Sequence, residues 1–483
     1  MEEKVRTYPS DITISPLRVV FQFVQLLERL VPALSDHHMR VAILSWAVAT
    51  NMGLESRAVK VLVRASLVHD LGMFLSNPWW DDEPREDHED EVAIDYWEGI
   101  SALEELQEEL SQRGDIPRHA RTGYDLVRRL PPLEELALPI LFHHHPYRLL
   151  KGLDLREEER AAAAIMNACD RAAGAFLPKE DGPPSRKRIL SMLTSLAASD
   201  ELDPSVVSAL HKLLEKRDHL WSSMAHPNWW QRELLSIADE VVFLSLDELS
   251  HFMETLSQVI DAKSPFTKKH TLHVAQTAVF LGKEMGLTER EIKTLRLAAF
   301  MHDLGKIAMP NAILHKTHSL TPEEWTLMRQ HVYISYLLFK DFDKLNDIAF
   351  VAATHHERLD NSGYPWGVSG DQLTLLSLIL QVADIYAAMR EDRPYSKGSS
   401  HEKAIESLKK SASRGKISGA VVETLARSKA LQGLSFDLET TPPKPAATSL
   451  LNRWPSLSLS ILQTPEAPIA IPDSVSHSPR RVH

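Results

Sequence analysis

The feature that most constrains this chain is a series of histidines that recurs at matched spacing in its two halves. His37 and His69 are 32 residues apart, and so are His270 and His302. In each half the second histidine opens the tetrapeptide His-Asp-Leu-Gly. A match of this kind at one offset indicates a tandem duplication, which favours two copies of one structural unit.

The match continues after the tetrapeptides. In both halves a histidine precedes a histidine doublet by 24 residues, and an aspartate follows the doublet after 26 or 28 residues: His119, His143, His144 and Asp170 in the first half, and His331, His355, His356 and Asp384 in the second. The first half carries 21 additional residues between its tetrapeptide and His119. That region is acidic, with fourteen Asp or Glu at 81–110, and we interpret it as a solvated loop or face.

Helix signals dominate both halves. Thr288 with Glu291 and Thr321 with Glu324 are capping boxes, and Gly286 is a C-terminal helix stop. No stretch combines strand alternation with turn signals. The sequence therefore predicts an all-α fold with tandem helical bundles joined by a helical connector. The expected domains are a divergent module with the acidic insert at 1–185, the connector at 186–260, a catalytic domain at 261–435 and a Pro/Ser-rich disordered tail at 436–483.

Composition excludes several classes of function for a chain of 483 residues. The net charge of −12 argues against a partner made of DNA or RNA polymer. The single cysteine, Cys169, excludes a disulfide framework and a thiolate zinc site. The N-terminus lacks the apolar core of a signal peptide, and no apolar run reaches the ~18 residues of a membrane span. We therefore expect a cytoplasmic protein that does not contact the membrane.

Seven residues of the second half have the side chains of a metal site. Their five imidazoles and two carboxylates form a mixed nitrogen and oxygen set that suits iron or manganese: His270, His302, Asp303, His331, His355, His356 and Asp384. Seven ligands are too many for one ion, so we expect two divalent ions with Asp303 as the bridge. Such a site generates a hydroxide nucleophile at neutral pH and neutralises phosphoryl charge, and Lys306 is placed to hold a phosphate oxygen.

The second half resembles the HD-GYP branch of the HD superfamily of metal-dependent phosphohydrolases. The resemblance rests on the segments at 302–306, 355–365, 382–386 and 392–395. It implies a cyclic-di-GMP phosphodiesterase that opens its substrate to pGpG, and on to GMP, through a hydroxide bridging the two metals. It also implies that the seven residues above are metal ligands, that Asp303 and Lys306 are catalytic, that Lys306 and Arg393 contact phosphate, and that Gly363, Tyr364 and Pro365 form a signature loop beside the substrate.

The second half departs from the family pattern at three positions. Asn361 stands where glycine is common, although asparagine tolerates left-handed backbone. Ala387 replaces a usual aspartate, which predicts a missing contact behind the ligands. Phe266 occupies a position where some members carry a glutamate linked to a third metal, which favours two ions over three.

The first half resembles the wider HD class and has an equivalent for every ligand of the second half: His37, His69, Asp70, His119, His143, His144 and Asp170. Met73 replaces the lysine, and nothing resembling Gly-Tyr-Pro follows His145. We interpret this half as a degenerate module, with a second metal site, that senses, regulates or mediates a homodimer or a signalling partner. The alternative is a purely structural copy.

Two other functions for the whole chain remain open at this stage. One is a general HD nucleotide phosphohydrolase that acts on linear nucleotides. The other is a catalytically silent receptor for cyclic-di-GMP, or a signalling scaffold.

Overall fold

The computed structural model describes residues 11–30, 35–73, 116–176, 185–261, 269–314, 316, 318–391, 397–428 and 431. These residues belong to one compact unit. The acidic region at 81–110, interpreted above as a loop, and the segment at 436–483, predicted to be disordered, lie outside the described residues.

The first half and the connector are helical apart from two short strands. The elements of the first half are β1 (Asp11–Ile14), α1 (Pro16–Leu30), α2 (His37–Met52), α3 (Ser56–Val68), α4 (Arg118–Val127), α5 (Ala137–Phe142), α6 (Tyr147–Leu150) and α7 (Glu157–Phe176). The connector follows with α8 (Arg186–Ala198), α9 (Pro204–Lys216), α10 (Asp218–Ala225), α11 (Gln231–Ala238), β2 (Val242–Ser245) and α12 (Leu246–Asp261).

Among the described residues of the second half, all regular secondary structure is helical. Its helices are α13 (His270–Glu284), α14 (Glu289–Met301), α15 (Asn311–Leu314), α16 (Pro322–Leu337), α17 (Asn346–Ala353), α18 (Leu375–Arg390), α19 (His401–Ser413) and α20 (Gly419–Arg427). The predicted all-α class with tandem HD-type bundles is confirmed.

The two halves repeat the same helix packing. Helices α2 and α3 form a closely packed pair that α7 covers, and α13, α14 and α18 repeat this arrangement. The helices that precede the two bundles also pack in the same way: α1 lies against α3, and α12 lies against α14. The fold is therefore duplicated together with the histidine pattern.

The predicted helix ends are present. Thr288 and Thr321 each close a capping box with the glutamate three residues later. Gly286 adopts φ 76°, and its N–H donates to the carbonyl of Lys283 at the end of α13. Gly53 ends α2 in the same left-handed conformation, with φ 77°.

The sequence did not predict the two strands. β1 pairs antiparallel with β2, so that Asp11 faces Ser245 and Ile14 faces Val242. This sheet joins the start of α1 to the start of α12, and α1 contacts the turn Leu304–Ala308 of the second half. The two halves are thus packed together near one of the histidine clusters.

Among the described residues, no helix combines the length and the apolar character needed to cross a membrane.

Candidate metal centres

The seven predicted ligands of the second half converge from five places in the bundle. His270 begins α13, His302 and Asp303 follow α14, and His331 lies on α16. The doublet at 355–356 follows α17, and Asp384 lies on α18. We call these seven residues the C-terminal cluster. Six of them are buried, and His356 is partly exposed.

Asp303 lies at the centre of the C-terminal cluster, as expected for a bridging carboxylate. Its Oδ2 is 3.1 Å from His302 Nε2 and 3.8 Å from His270 Nε2. Its Oδ1 is 3.2 Å from His331 Nε2 and 4.0 Å from His355 Nε2. Two separate groups with ligand-like spacing result, one of His270, His302 and Asp384, the other of His331, His355 and His356, and a third group of His302, Asp303 and His355 links them. The histidines of the two separate groups that contact Asp303 face different oxygens of its carboxylate.

The histidines are oriented for coordination through Nε2. The Nδ1 atoms of His302, His331 and His355 lie 2.6, 2.6 and 2.8 Å from backbone carbonyls one turn earlier. Because a carbonyl only accepts, each Nδ1 carries the proton and each Nε2 keeps its lone pair. These three Nε2 atoms and Asp303 Oδ1 are buried without a hydrogen-bond partner among the described residues. A pair of divalent ions would satisfy these atoms, so the residues fit a two-metal site.

Glu391 orients another ligand and was missed from the sequence. Its Oε2 lies 3.0 Å from His270 Nδ1, and its Oε1 lies 2.6 Å from His273 Nδ1. His270 therefore presents Nε2 to Asp384 Oδ1, at 3.1 Å. Glu391 follows Asp384 by seven residues, which on a helix is the same face. That spacing is the signal that could have identified it.

Gly305 allows the tetrapeptide to approach α16 closely. A Cβ at this position would lie 2.0 Å from the carbonyl oxygen of His331. The Gly305 N–H donates to Ser335 Oγ, which in turn donates to the carbonyl of His302, both at 2.8 Å. Helix α16 is thereby fixed against the residues that carry His302 and Asp303.

The charges of the cluster follow from burial and from its carboxylates. Burial lowers the pKa of His355 to about 3 and that of His356 well below its usual range, so both imidazoles are neutral. Burial opposes ionisation of Asp303, yet His302 and Lys306 hold its pKa well below the usual range. Burial likewise opposes the charge of His270, yet Glu391 and Asp384 raise its pKa to about 10.

Lys306 contacts the carboxylate of Asp303. The α-helix does not continue from His302, and Lys306 lies instead on a 3₁₀ turn. Its Nζ is 2.5 Å from Asp303 Oδ2, and 21% of its side chain remains exposed. The ammonium group therefore lies between the cluster and solvent.

The signature loop is held against the histidine doublet. The rings of Tyr364 and His356 lie 4.8 Å apart, and the Tyr364 N–H donates to the His356 carbonyl. A Cβ at Gly363 would lie 2.3 Å from Glu357 Cα, so only glycine fits. The Tyr364–Pro365 peptide is cis. Asn361 adopts φ 62°, the left-handed conformation anticipated for it.

Glu357 fixes this loop and had no role assigned from the sequence. Its fully buried carboxylate accepts three backbone N–H groups, from Trp366 at 2.8 Å, Gly367 at 3.1 Å and Val368 at 3.2 Å. A buried carboxylate that accepts several N–H groups holds a loop firmly.

An open pocket of about 550 Å³ borders the C-terminal cluster. His356 and Tyr364 line its inner side, and Trp325, Arg329 and Arg358 line the rest together with two further residues of α16. The guanidinium of Arg329 lies 5.1 Å from the centre of the Tyr364 ring. Trp325 is 46% exposed. The pocket thus offers aromatic faces and two cations beside His356, one of the predicted ligands.

The predicted ligands of the first half also come together. Asp70 Oδ2 is 3.3 Å from His69 Nε2, and Asp70 Oδ1 is 3.5 Å from His119 Nε2 and 3.6 Å from His143 Nε2. Asp170 contacts the remaining two: His37 Nε2 at 2.9 Å and His144 Nδ1 at 3.4 Å. We call the seven residues at 37, 69, 70, 119, 143, 144 and 170 the N-terminal cluster.

Two of the residues discussed from the sequence cannot be placed. Arg393, implied to contact phosphate, and Phe266, linked to the number of ions, lie outside the described residues. Ala387 is described and fully buried in α18.

Comparison with known proteins identifies the second half. The sequence model described as the HD domain matches residues 254–421. This match assigns residues 254–421 to the HD domain family. The 3′3′-cGAMP-specific phosphodiesterase 1 of Vibrio cholerae is 26% identical over 400 residues, which cover 81% of this chain and 86% of that protein. The Thermotoga maritima cyclic di-GMP phosphodiesterase is 37% identical over 34% of this chain, and the chain spans 45% of its length.

A solved structure has a fold similar to that of this chain. The crystal structure of a cyclic GMP-AMP specific phosphodiesterase of Vibrio cholerae matches with a TM-score of 0.55 and 19% identity, over 86% of this chain and 97% of that one. The interpretation as an HD-family phosphohydrolase with an HD-GYP resemblance is confirmed. The roles of the individual site residues stay predictions.

Proposed function

We propose that the C-terminal cluster hydrolyses a phosphodiester bond of a cyclic dinucleotide, with cyclic-di-GMP as the substrate and pGpG, and then GMP, as products. The observation that carries this proposal is the pair of ligand groups on the two oxygens of Asp303. When bound there, two ions of iron or manganese supply a nucleophile from water at neutral pH and neutralise phosphoryl charge.

The residues of the chain position those ions and the substrate. Asp303 contributes one oxygen to each ligand group, and Glu391 keeps the Nε2 of His270 directed at Asp384. Lys306 has an exposed fraction beside Asp303, where its ammonium can hold a phosphate oxygen.

The pocket beside His356 suits a guanine nucleotide. Its volume of about 550 Å³ lies in the range of small-molecule sites. Tyr364 and the partly exposed Trp325 provide ring faces on which a base can stack. Arg329 and Arg358 provide planar guanidinium groups, which bind phosphate oxygens in pairs. The rings and guanidinium groups of the pocket therefore complement the bases and the two negative charges of a cyclic dinucleotide.

A second substrate is favoured by one comparison. The Vibrio cholerae relative that matches over 86% of its own length is named for 3′3′-cGAMP, whereas the cyclic di-GMP enzyme from Thermotoga is matched over less than half. 3′3′-cGAMP differs from cyclic-di-GMP in one base only. We therefore treat 3′3′-cGAMP as the alternative substrate of the same site.

The test is hydrolysis by protein purified without oxygen and supplied with ferrous or manganous ion. Cyclic-di-GMP, 3′3′-cGAMP and linear pGpG are compared, with products resolved by chromatography. Asp303→Ala removes the bridging carboxylate and is expected to abolish turnover. Asp70→Ala removes the matching residue of the first half and serves as the control that retains turnover. Circular dichroism checks that both variants keep their helix content.

Each outcome bears on the proposal. Turnover that survives in Asp303→Ala would refute the assigned centre. Turnover of linear nucleotides alone would favour the general nucleotide phosphohydrolase. Binding of cyclic-di-GMP by the metal-loaded protein without turnover would place the chain among receptors instead.

A further inference from the structure

We propose that the N-terminal cluster is a second di-metal centre, in which His38 provides an additional ligand that the C-terminal cluster lacks. This centre is independent of the proposed hydrolysis, because it lies in the other half of the chain and uses none of the same residues. The ions that this centre would bind are divalent transition metals that coordinate imidazole nitrogen.

The carboxylate geometry around Asp70 repeats that around Asp303. Asp70 Oδ2 faces His37 and His69, at 3.9 and 3.3 Å, and Asp70 Oδ1 faces His119 and His143, at 3.5 and 3.6 Å. Two groups with ligand-like spacing result here too: His37, His69 and Asp70, and Asp70, His119, His143 and His144. The loss of lysine and of the signature loop has therefore left the ligand geometry intact.

The imidazoles of the N-terminal cluster are oriented for metal. His69 Nδ1 and His143 Nδ1 lie 2.9 and 2.5 Å from backbone carbonyls, which directs each Nε2 at the centre of the cluster. Both side chains are fully buried. Their Nε2 atoms have no hydrogen-bond partner among the described residues, and the same holds for His119 Nε2.

His38 adds a further nitrogen to this centre. It is fully buried, and its Nε2 lies 4.0 Å from Asp70 Oδ2 without a hydrogen-bond partner among the described residues. Atoms that bind one ion at about 2.1 Å each lie at most about 4.2 Å apart, so this distance permits a shared ion. Glu28 Oε1 lies 2.7 Å from His38 Nδ1 and also accepts the His38 backbone N–H. A carboxylate on Nδ1 is the arrangement that orients metal-binding histidines.

The second half has no imidazole at the position that corresponds to His38. At the offset of 233 that relates the two halves, His38 corresponds to Thr271 and Glu28 to Asp261. The Thr271 hydroxyl donates a hydrogen bond to Asp261 Oδ1 at 3.1 Å, so it has a partner within this pair of residues. The two clusters therefore differ by one imidazole.

A second difference also favours metal in the first half. In the C-terminal cluster Lys306 Nζ lies 2.5 Å from Asp303 Oδ2, so its ammonium group competes with a metal ion for this carboxylate. At the matching position Met73 packs against the hydrophobic core. Among the described residues, every ion pair of Asp70 is with a histidine. We therefore expect the N-terminal cluster to hold its ions more tightly than the C-terminal cluster.

The experiment counts metal in the full chain rather than activity. Chelator-stripped protein is loaded with Co²⁺ without oxygen and desalted, and the metal is measured by mass spectrometry and by cobalt absorption. Asp303→Ala is expected to keep the ions of the N-terminal cluster, and Asp70→Ala those of the C-terminal cluster. The double variant is expected to keep neither. His302→Gln and His69→Gln replace the two aspartate variants if either of those loses its helix content.

The role of His38 is measured in the Asp303→Ala background. His38→Gln is expected to weaken Co²⁺ binding there by about 10–100-fold, and Glu28→Gln by about 10-fold. Thr271→Ala in the Asp70→Ala background is the matched control and is expected to leave Co²⁺ affinity unchanged. If Asp303→Ala retained no more metal than the double variant, the second centre would be refuted. Unchanged affinity in His38→Gln would refute the additional ligand. Neither result would bear on hydrolysis by the second half.

Discussion

Replacing Gly305 by alanine tests whether the close approach of the tetrapeptide to α16 sets the geometry of the C-terminal cluster. The added Cβ would lie 2.0 Å from the carbonyl oxygen of His331 and 2.7 Å from the backbone nitrogen of Ser335. Both neighbours are backbone atoms of one helix, so no side chain can rotate away. The helix that carries His331 must move relative to Asp303.

The size of the movement follows from the contact distance. Cβ contacts below 3.0 Å are essentially never found, so the two backbones must separate by about 1 Å. His331 Nε2 now lies 3.2 Å from Asp303 Oδ1, and ligand distances tolerate only about 0.2 Å of error. We expect loss of one ion, a fall in turnover of about 100-fold and a cost of about 1–3 kcal/mol in unfolding free energy.

The assay combines hydrolysis of the cyclic dinucleotide, metal content and thermal unfolding. Gly174→Ala is the control, since Gly174 lies in the last turn of α7 and its Cβ would meet nothing within 4 Å. It is expected to stabilise the chain by about 0.5–1 kcal/mol without changing turnover. Wild-type turnover and metal content in Gly305→Ala would show that this contact does not set the geometry of the site.

Three further predictions concern single residues. Glu391→Gln removes the charge behind His270 and is expected to lower metal affinity of the second half by about 10–100-fold, measured by competition with a chelator. Asn361 has φ 62°, so Asn361→Ala is expected to cost about 1 kcal/mol in urea unfolding while Asn361→Gly costs nothing. Burial raises the pKa of Asp125 from 3.8 to about 6, so the folded chain loses stability as pH rises through that interval; Asp125→Asn is expected to be more stable than the wild type by about 2 kcal/mol at pH 7.5, and equal to it below pH 4, in denaturation curves at each pH.

The fold could be predicted as far as it is local and repeated. Helix ends depend on neighbouring residues, as in the capping boxes at Thr288 and Thr321 and the stop at Gly286. The matched histidine spacing then extended the prediction from one half to the other. The sheet could not be predicted in this way. Each strand has four residues, too few to show alternation, and their pairing joins segments more than two hundred residues apart. It arises only once α1 and α12 are packed.

In the candidate site, too, the repeated residues could be predicted and the long-range contacts could not. The predicted ligands are histidines and aspartates that recur at matched spacing in the two halves, so their convergence could be predicted from the repeat. Glu28 and Glu357 could not, because each acts on a histidine or a loop through a contact that only the folded chain creates. Glu391 had a signal only in its helical spacing from Asp384. Glu28 and Asp261 do correspond at the offset of the repeat, which marks them as equivalent but not as functional.

The energetics of burial argue against a purely structural first half. Six imidazole nitrogens are buried there without hydrogen-bond partners among the described residues, and four of them are the Nε2 atoms of His38, His69, His119 and His143 beside Asp70. A buried polar atom left unsatisfied costs about 1–3 kcal/mol. The combined cost of these nitrogens is comparable to the whole unfolding free energy of a domain. An apolar side chain would avoid that cost, whereas a bound ion turns each of the four Nε2 atoms beside Asp70 into a ligand. The two halves thus differ at Lys306 and in the signature loop, where a substrate would meet the metals, and agree in the seven matched residues that would hold the metals.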